Sequence, residues 1–577
     1  MEATVAKKVY PLWVQELARK YFSKNVTQFI LHGNVNDYIP VQEGGKLKYS
    51  KLRDFLSEDL FKRRDIIVYY DRASGIRLHT PQMRQDFLRA LEAYDTAHGT
   101  DFSKGWPKDP VRAFAILEMY FRIRLQDGKS ICFIVDYAET IVPMASASQY
   151  NPEDRNLQVF LQKWATENIF LRNDMTLVLI TENIININSQ YVRNPHNHEI
   201  IIPYPTEEDR TGYVEYFFSM HKEKTSLLEM SLPVLSKNTA GLGLVHLKIL
   251  LSEIVENNLP FTFKELNHKK KEIIEGEGGG LLEFVESKYS LKDVSGHKYA
   301  KQHLVEAGNA VRAGRGDVMP MGYLVSGPVG TGKTFLISCF SNDVGVPMVS
   351  LKNFRSKWQG ETEGNLEKVL HLLKAMNPVA VMIDEADAYL GKRSADGDSG
   401  VSSRVFSMLA SFMSDTDNRG KIIWFLVTAR PDLMPVDFKR QGRAEEHIAL
   451  FYPETVEEKK ELFQAMLGKT KLTHLTPDQF DQDFYNTMTP KSGADMEAAL
   501  TRAKFKAAAK GESPLTDLTV MEAFDDFLPP TYPDEIELMN YAAVLECTSR
   551  ALLPERFRNM TREEVIEKVN ELKERVR

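Results

Sequence analysis

The sequence predicts an α/β protein of two tandem modules, each a mostly parallel sheet flanked by helices and followed by a small helical lid. Three observations support this fold class. The chain has 577 residues, more than one hydrophobic core normally serves. Short apolar runs alternate with helical stretches in the first half. A pattern at the end of that half recurs in the second half, which indicates a repeated plan.

The first module begins with a helix predicted over residues 10–22, where apolar residues recur at helical spacing. Helical stretches such as 83–94 and 157–170 then alternate with five short apolar runs, and residues 207–258 are predicted to form a small helical bundle. Nearly continuous apolar runs between helices are typical of parallel strands buried on both faces. The predicted strands are 29–32, 66–70, 131–136, 177–181 and 200–202.

This first module lacks the residues that bind a triphosphate. Its first strand is followed by Gly33-Asn34-Val35-Asn36-Asp37, without the Gly-Lys-Thr of a phosphate loop. Its third strand ends at Asp136, but Tyr137 follows where a catalytic carboxylate would be needed. We therefore interpret the module as degenerate, a scaffold that does not hydrolyse nucleotide. Asp136 is interpreted as a hydrogen-bond acceptor at a strand end rather than a magnesium ligand.

An internal repeat relates the two halves. Residues 200–210, IIIPYPTEEDR, are echoed by residues 448–459, IALFYPETVEEK, and each stretch is a strand, a Tyr-Pro break and an acidic helix start. Duplication of one module and decay of the first copy would explain this. Residues 268–280 combine charge with a glycine cluster and predict a flexible connection within a linker over 268–290. The alternative is a helix end with a glycine cap inside one domain.

The second module contains a phosphate loop between a short apolar strand, 323–326, and a helix. Its glycines let backbone N–H groups turn around phosphates, and the helix N-terminus adds partial positive charge. Lys333 can reach the β- and γ-phosphates of ATP, and the Thr334 hydroxyl can bind Mg²⁺. A Gly-rich turn with an exposed lysine is the disfavoured alternative, because strand, loop and helix agree. The predicted nucleotide-binding residues here are Gly327, Pro328, Val329, Gly330, Thr331, Gly332, Lys333, Thr334 and Phe335.

A later apolar run ends in two carboxylates, Asp384 and Glu385, about fifty residues after the loop. Asp384 can hold the magnesium shell, and Glu385 can orient and polarise the attacking water. An apolar run that ends in Asp-Glu is weak evidence for a nucleotide site by itself, but its position after a phosphate loop makes the evidence strong. The residues therefore predict Mg²⁺-dependent hydrolysis of ATP.

With these motifs the sequence over about 291–529 resembles the AAA family of ATPases, in its protein-remodelling branch. The resemblance implies a P-loop-NTPase-like (AAA+) fold for both modules. It also implies a homo-oligomer, a hexameric ring, that acts on a protein substrate through a central pore. Further nucleotide-binding residues implied by it lie near the adenine, at the lid helix and at the end of the fourth strand. They are Asp293, Val294, Ser295, Gly296, Gly493, Ala494 and Thr428.

The same resemblance assigns residues that act outside the nucleotide pocket. Lys357, Trp358 and Gln359 resemble the first pore loop, in which an aromatic side chain grips a polypeptide. Arg440 and Arg443 resemble two arginine fingers that reach a neighbour's nucleotide. The alternatives are a core aromatic for the tryptophan and solvated surface charges for the arginines, and the neighbouring residues favour the functional assignment.

The chain departs from the family pattern at Ala429. Family members usually carry Thr-Asn-Arg-Pro-Asp at the end of the fourth strand, whereas this chain has alanine in place of the asparagine. Alanine offers no side-chain hydrogen bond to the hydrolytic water, and Thr428 is expected to point to the opposite face of the strand. We therefore expect slower hydrolysis with unchanged binding. A second hypothesis follows, a scaffold or assembly protein that uses ATP as a slow switch.

Composition bounds the partners and the location. Eighty acidic and 73 basic residues give a net charge of −7 without a basic block, so a nucleic-acid motor is disfavoured. The N-terminus does not resemble a signal peptide and no apolar run is long enough to span a bilayer, which predicts a cytoplasmic protein.

The C-terminal end is predicted to be helical after the lid. Its last helix starts at a capping box from Thr561 and places Val565, Val569, Leu572 and Val576 on one face. Packing of that face on the lid is favoured, and docking on an adjacent subunit is the alternative. The predicted domains are a degenerate module with its lid (1–267), a linker (268–290), an ATPase core (291–455), a helical lid (456–530) and a helical extension (531–577).

Overall fold

The structure is a computed structural model that describes residues 10–23, 26–43, 46–145, 150–258, 260–352, 362–390, 401–489, 491–529 and 532–576. The chain divides into two compact units. The first comprises the residues up to Gly278 together with Glu363–Met376, and the second comprises Gly279–Thr362 and the residues from Asn377. No helix in the described ranges is sufficiently long and apolar to cross a bilayer.

The strands of the first unit confirm all five predicted apolar runs. They are β1 (Gln28–Gly33), β2 (Tyr38–Glu43), β3 (Lys46–Lys51), β4 (Ile66–Asp71), β5 (Gly75–Leu78), β6 (Ile131–Val135), β7 (Met175–Ile180) and β8 (Asn197–Ile202). Six of them form one sheet in the order β5-β4-β6-β7-β1-β8, which is parallel except for β5. The sequence did not predict β5 or the antiparallel β2–β3 hairpin.

Both faces of this sheet are buried, as the continuous apolar runs predict. In β6, Ile131, Phe133 and Val135 join a cluster that contains Trp164, whereas Cys132 and Ile134 belong to the core on the other face. This alternation follows from the two-residue period of a strand. The helices that cover the sheet and form the lid are α1 (Leu12–Phe22), α2 (Leu52–Asp54), α3 (Pro81–His98), α4 (Pro110–Gln126), α5 (Pro152–Thr166), α6 (Asn168–Arg172), α7 (Ser189–Val192), α8 (Glu207–Met220), α9 (Leu232–Asn238), α10 (Leu244–Asn257) and α11 (Phe263–Glu277).

The second unit repeats the same sheet order. Its strands are β9 (Leu282–Phe284), β10 (Gly322–Ser326), β11 (Met348–Leu351), β12 (Val379–Ile383), β13 (Ile422–Thr428) and β14 (Glu446–Ala449). They pair as β14-β10-β13-β12-β11-β9, parallel except for β9. If the five parallel strands of each sheet are numbered 1 to 5 in chain order, they lie side by side in the order 5-1-4-3-2. In both sheets the antiparallel strand lies at the edge, beside strand 2. The fold class of two tandem modules is thus confirmed.

Most of the segment predicted as a linker has regular structure. Helix α11 continues through residues 268–277, and the glycine cluster follows its C-terminal end. Strand β9 then pairs with β11, so that Leu282 lies opposite Leu351 and Phe284 opposite Val349. The helix end with glycines after it fits the alternative, but the division between the two units also falls here, between Gly278 and Gly279, so the stretch does not lie inside one unit.

The helices of the second half form a core layer, a lid and a C-terminal pair. The core and connecting helices are α12 (Lys298–Arg312), α13 (Lys333–Val344), α14 (Thr362–Met376, which groups with the first unit), α15 (Ala386–Leu390), α16 (Val401–Met413) and α17 (Val436–Lys439). The lid helices are α18 (Val456–Lys469), α19 (Gln482–Thr487), α20 (Gly493–Lys510) and α21 (Asp517–Asp525), which share one core. After them come α22 (Pro533–Glu546), α23 (Glu555–Arg558) and α24 (Arg562–Arg575).

The apolar face of the last helix is covered within the chain, but not by the lid. Val565 packs with Val544 of α22 and with Phe451, just after β14, whereas Val569 and Leu572 pack on Leu538. The favoured prediction of packing on the lid was therefore wrong. A periodic apolar stripe reveals that a face is buried but not which surface buries it.

Candidate nucleotide site

The phosphate loop joins β10 to α13, as predicted. Gly332 precedes the helix with a φ of 84°, and Gly327 has a φ of 138°. A Cβ atom at Gly327 would lie 2.0 Å from the carbonyl oxygen of Leu450, so only glycine fits there. The helix begins at Lys333, which places a helix N-terminus directly after the loop. This arrangement suits phosphate binding.

Lys333 lies on the inside of the loop. Its amine donates hydrogen bonds to the carbonyl oxygens of Gly327 and Pro328, both at 2.8 Å. Burial lowers the pKa of Lys333 to about 8, and the nearby carboxylates of Asp384 and Asp387 oppose that shift. A desolvated amine held by two neutral carbonyls would gain from an anionic partner, which is the role predicted for it.

Thr334 and Asp384 lie together, as the two motifs predict. The Thr334 hydroxyl donates to Asp384 Oδ2 at 3.0 Å. Mg²⁺ binds octahedral oxygen ligands at about 2.0–2.1 Å, which puts neighbouring ligand oxygens about 2.9 Å apart. The two oxygens therefore fit adjacent positions around one Mg²⁺ ion. The neighbouring Phe335 is partly exposed and packs edge to face on Tyr289, with ring centroids 5.5 Å apart.

Glu385 is exposed and stands in an uncommon backbone conformation. Its φ is 49°, in the left-handed region that few non-glycine residues adopt. Its backbone N–H donates to Asp384 Oδ1 at 2.9 Å, which ties the turn to the end of β12. Such backbone strain is common at functional sites, where it aims a side chain.

The segment predicted to lie near the adenine contacts the lid. Asp293 is exposed and Val294 is buried, and Ser295 and Gly296 are partly buried. The Gly296 N–H donates to a carboxylate oxygen of Glu461, in lid helix α18, at 3.2 Å. The segment therefore connects the core and the lid of the second unit.

The lid helix predicted to approach the nucleotide lies against the phosphate loop. Gly493 and Ala494 begin α20, and the preceding Ser492 caps it by accepting a hydrogen bond from the Asp495 N–H at 3.1 Å. A Cβ atom at Gly330 would lie 2.9 Å from the Ser492 Cβ atom. A larger residue at position 330 would therefore separate the loop from the lid.

Two residues at this site were not predicted from the sequence. His297 donates from Nε2 to the Thr331 carbonyl at 3.1 Å, and burial lowers the pKa of His297. The Tyr452 hydroxyl donates to the Val329 carbonyl at 2.6 Å. Two signals were present in the sequence, because His297 directly follows the adenine segment and Tyr452 is the tyrosine of the internal repeat.

The end of β13 has no polar side chain at the position of the family asparagine. Thr428 is buried, and its hydroxyl donates to Asp387 Oδ1 at 2.6 Å and accepts from the Arg430 N–H at 2.9 Å. Arg430 itself makes two hydrogen bonds to Asp432, at 2.9 and 3.0 Å. Both polar neighbours of Ala429 are therefore already engaged, and neither replaces the missing amide in this arrangement.

The two predicted arginine fingers differ in environment. The Arg440 side chain is 58% exposed, and its Nε atom lies 3.9 Å from Asp437 Oδ1. The Arg443 side chain is only 8% exposed, donates to the Asp437 carbonyl at 2.5 Å and lies 5.8 Å from the centre of the Phe438 ring. Arg440 is thus available to a second molecule, whereas Arg443 is held within its own segment.

The predicted pore-loop residues Lys357, Trp358 and Gln359 lie outside the described residues, as does the stretch 391–400. Their assignment continues to rest on the sequence.

In the first unit an acidic side chain occupies the loop after β1. The Asp37 carboxylate accepts hydrogen bonds from the N–H groups of Leu244 and Val245, at 2.8 and 2.7 Å, and so caps lid helix α10. A cavity of about 300 Å³ remains at this end of the sheet, with His32 and Tyr204 in its wall. The loop after β1 carries a buried carboxylate and no lysine, so it offers no cation to a triphosphate.

Asp136, at the end of β6, pairs with Arg53. The Arg53 guanidinium also lies 5.9 Å from the centre of the Tyr137 ring. A carboxylate with a permanent cationic partner is poorly suited to hold Mg²⁺.

Three family models match separate parts of the chain. Residues 323–452 match the ATPase family associated with various cellular activities (AAA). Residues 4–203 match the N-terminal Rossmann-like domain of AAA+ chaperones, and residues 208–279 match the second helical domain of AAA+ chaperones. Each unit is thus matched over part of its length.

Several curated proteins are similar to this chain at low identity. A cell division cycle protein 48 homolog of Archaeoglobus fulgidus is 26% identical over 420 residues, which cover 67% of this chain and 56% of the relative. The AAA domain-containing protein ycf46 of Gracilaria tenuistipitata var. liui is 24% identical, over 66% of this chain and 75% of the relative. The peroxisomal ATPase PEX6 of Candida glabrata is 27% identical, over 49% of this chain and 30% of the relative. The chain thus spans little more than half of the archaeal relative.

Proposed function

This chain belongs to the AAA family of ATPases, and we propose that its second unit hydrolyses ATP with Mg²⁺ to remodel protein substrates. The observation that carries the proposal is the 3.0 Å contact between Thr334 and Asp384. It joins the phosphate loop to the acidic strand end, and Lys333 and Glu385 are the chain neighbours of the two residues in contact. Phosphate binding, magnesium binding and water activation then meet at one site.

Each side chain has a distinct task in this proposal. Lys333 binds the β- and γ-phosphates, and Thr334 and Asp384 hold Mg²⁺, which would neutralise charge on the phosphates. Glu385 orients the attacking water and accepts its proton, because its carboxylate is exposed beside the magnesium ligands. Gly493 and the segment that ends at Gly296 border the adenine and ribose from the lid side.

The working form that we propose is a homo-oligomeric ring of six subunits in the cytoplasm. The exposed Arg440 supports this, because it would complete a neighbour's site by stabilising charge on the γ-phosphate. The pore loop of Lys357, Trp358 and Gln359 would grip a polypeptide in the centre of the ring. The degenerate first unit would act as a scaffold that needs no nucleotide of its own.

A second candidate is an assembly protein that binds ATP as a slowly reset switch. The environment of Ala429 favours it, because no side chain there is placed to orient the water. The two candidates differ in their response to substrate. A remodelling enzyme should hydrolyse ATP faster when an unfolded polypeptide is present, whereas a switch should not respond.

The test measures ATP turnover and identifies the protein substrates that a hydrolysis-deficient variant retains. Glu385→Gln should bind ATP normally, lose about a hundredfold or more in turnover and retain protein substrates that can be identified after pull-down. The matched control is Asp136→Asn, which changes the corresponding strand end of the first unit and should leave turnover unchanged. If Glu385→Gln hydrolyses ATP at the wild-type rate, Glu385 does not activate the water. If the turnover of the wild-type protein does not rise with an unfolded polypeptide, the switch is favoured.

A further inference from the structure

We infer that the C-terminal helices α22 and α24 position Arg440 for its action on a neighbouring subunit, through Glu546 and Lys573. The inference rests on the proposed function, since it requires Arg440 to act between subunits. We call residues 430–443 the arginine segment and α22 with α24 the C-terminal brace. Both belong to the second unit.

The brace is packed directly behind the arginine segment. Strand β14 begins three residues after that segment, and Ala449 at the end of β14 packs with Phe451, Ala543 and Phe557 in one buried cluster. These apolar contacts attach helix α22 to strand β14. The brace therefore has a fixed attachment from which polar side chains can reach the segment.

The first polar connection ends at the residue before Arg440. The Lys439 amine pairs with a carboxylate oxygen of Glu546, the last residue of α22, and also donates to the Pro431 carbonyl at 3.0 Å. The Lys439 side chain is only 10% exposed. A nearly buried ammonium group depends strongly on its partner carboxylate, so loss of Glu546 would displace it.

His447 lies between the same two elements. Its Nδ1 atom lies 2.7 Å from the Glu546 carbonyl oxygen, and its Nε2 atom lies 3.1 Å from the Lys439 carbonyl oxygen. The imidazole is buried between them. The Lys439–Glu546 pair is therefore the direct polar link between the backbone before Arg440 and the end of α22, and the buried His447 ring lies between the two carbonyl groups.

The second polar connection holds the start of the segment. The Lys573 amine of α24 lies 3.0 Å from Asp432 Oδ2, and Asp432 also accepts two hydrogen bonds from Arg430. The Asp432 side chain is 6% exposed, so its carboxylate is shielded from solvent, whereas the Lys573 side chain is partly exposed. Burial raises the pKa of Asp432, but the hydrogen bonds from Arg430 and Lys573 outweigh it and hold that pKa below its usual range.

Arg440 itself is not held by comparable contacts. Its side chain is mostly exposed, and Asp437 lies 3.9 Å away, beyond a hydrogen bond. The backbone that carries Arg440 therefore determines the positions that its guanidinium group can reach. That backbone is anchored by Glu546 on one side and, through Asp432, by Lys573 at the other end of the segment. Glu546 and Lys573 are positioning residues, because they act through this backbone and do not touch nucleotide.

The experiment measures ATP turnover in full-length variants. Glu546→Gln and Lys573→Met should each lower turnover by about tenfold or more at saturating ATP, because Arg440 would be misplaced, with ATP affinity and oligomeric state unchanged. The matched control is Lys568→Met, on the same helix, whose amine pairs with Glu571 of that helix at 2.7 Å. It should retain wild-type turnover. Lys573 is partly exposed, so its variant tests the inference even where Glu546→Gln does not fold.

Mixed subunits test whether the defect lies on the face that serves a neighbour. Glu546→Gln subunits mixed with Lys333→Ala subunits should regain activity, because the second type supplies an intact Arg440 to the first. Glu546→Gln mixed with Arg440→Ala should show no recovery above the lowered turnover of the separate variants, because neither supplies a positioned arginine. If the first mixture fails while Arg440→Ala with Lys333→Ala recovers, the brace acts within its own subunit and the inference is wrong. If that reference mixture also fails, the proposed action between subunits is wrong, and the inference falls with it.

Discussion

Asp136 in the first unit and Asp384 in the second end equivalent strands in the same geometry. Each accepts a hydrogen bond on Oδ1 from the N–H of the next residue, at 3.0 and 2.9 Å. That next residue has a φ of 53° at Tyr137 and of 49° at Glu385. A left-handed backbone conformation is uncommon outside glycine. It is nevertheless present at this position in both units, although only the second unit has a carboxylate side chain there, that of Glu385. The parallel supports duplication, with the backbone turn retained and its chemistry lost.

Lys333→Ala should abolish nucleotide binding by the whole chain at micromolar concentration. The variant removes the cation that meets the phosphates, at a cost of about 2–5 kcal/mol, which is about thirtyfold to several thousandfold in Kd. Titration with a fluorescent ATP analogue measures it. Lys469→Ala, a lid lysine paired with Glu497, is the control and should bind normally. Tight ATP binding that persists in Lys333→Ala and maps to the first unit would refute the scaffold interpretation.

Ala429→Asn should raise basal turnover by about tenfold or more, if the missing hydrogen bond to water limits the rate. ATP affinity should not change, because the substitution touches the water rather than the phosphates. Steady-state turnover at saturating ATP checks this. Ala429→Leu is the control, since it adds volume without a hydrogen bond and should not accelerate hydrolysis. An unchanged rate in Ala429→Asn would mean that a different step is slow.

Arg440→Ala should lower turnover by about a thousandfold, and its mixture with Lys333→Ala should recover activity. A mixed interface can hold one intact phosphate loop and one intact arginine. Turnover per subunit should also rise with protein concentration in the wild type. Arg443→Ala is the comparison, and we expect it to affect stability more than turnover because Arg443 is held inside its own segment. Concentration-independent activity, without recovery among exchanging subunits, would place the arginines within one subunit.

Asp37→Ala should destabilise the first unit by about 2–3 kcal/mol, without altering ATP binding. The carboxylate accepts hydrogen bonds from Leu244 and Val245, and their N–H groups would lose this partner. Hydrogen exchange at the start of α10 measures the loss directly. Asp101→Ala is the control, because that carboxylate is exposed and pairs with Lys104. Exchange in α10 that matches the wild type would show that the cap contributes little.

The parts predicted from the sequence are those with strong local patterns. Five buried strands, the phosphate loop and the Asp384-Glu385 strand end follow from apolar runs and motifs. Strand β5 was missed because Arg77 separates its apolar residues Ile76 and Leu78, so that no continuous apolar run marks it. The β2–β3 hairpin was missed because its apolar residues are interspersed with polar and charged ones and likewise form no continuous run. The different environments of Arg440 and Arg443 could not be predicted from the sequence either. They depend on packing against Phe438 and on a carbonyl of Asp437, which no spacing reveals.

Strand β9 has a practical consequence for anyone who expresses the second half by itself. It covers the edge of β11, where Val349, Ser350 and Leu351 would otherwise offer unpaired backbone groups. An uncovered apolar edge is a template for intermolecular pairing and aggregation. A fragment should therefore start at Gly279, in the glycine cluster. A start at 291, where the family resemblance begins, would remove the strand that shields this edge.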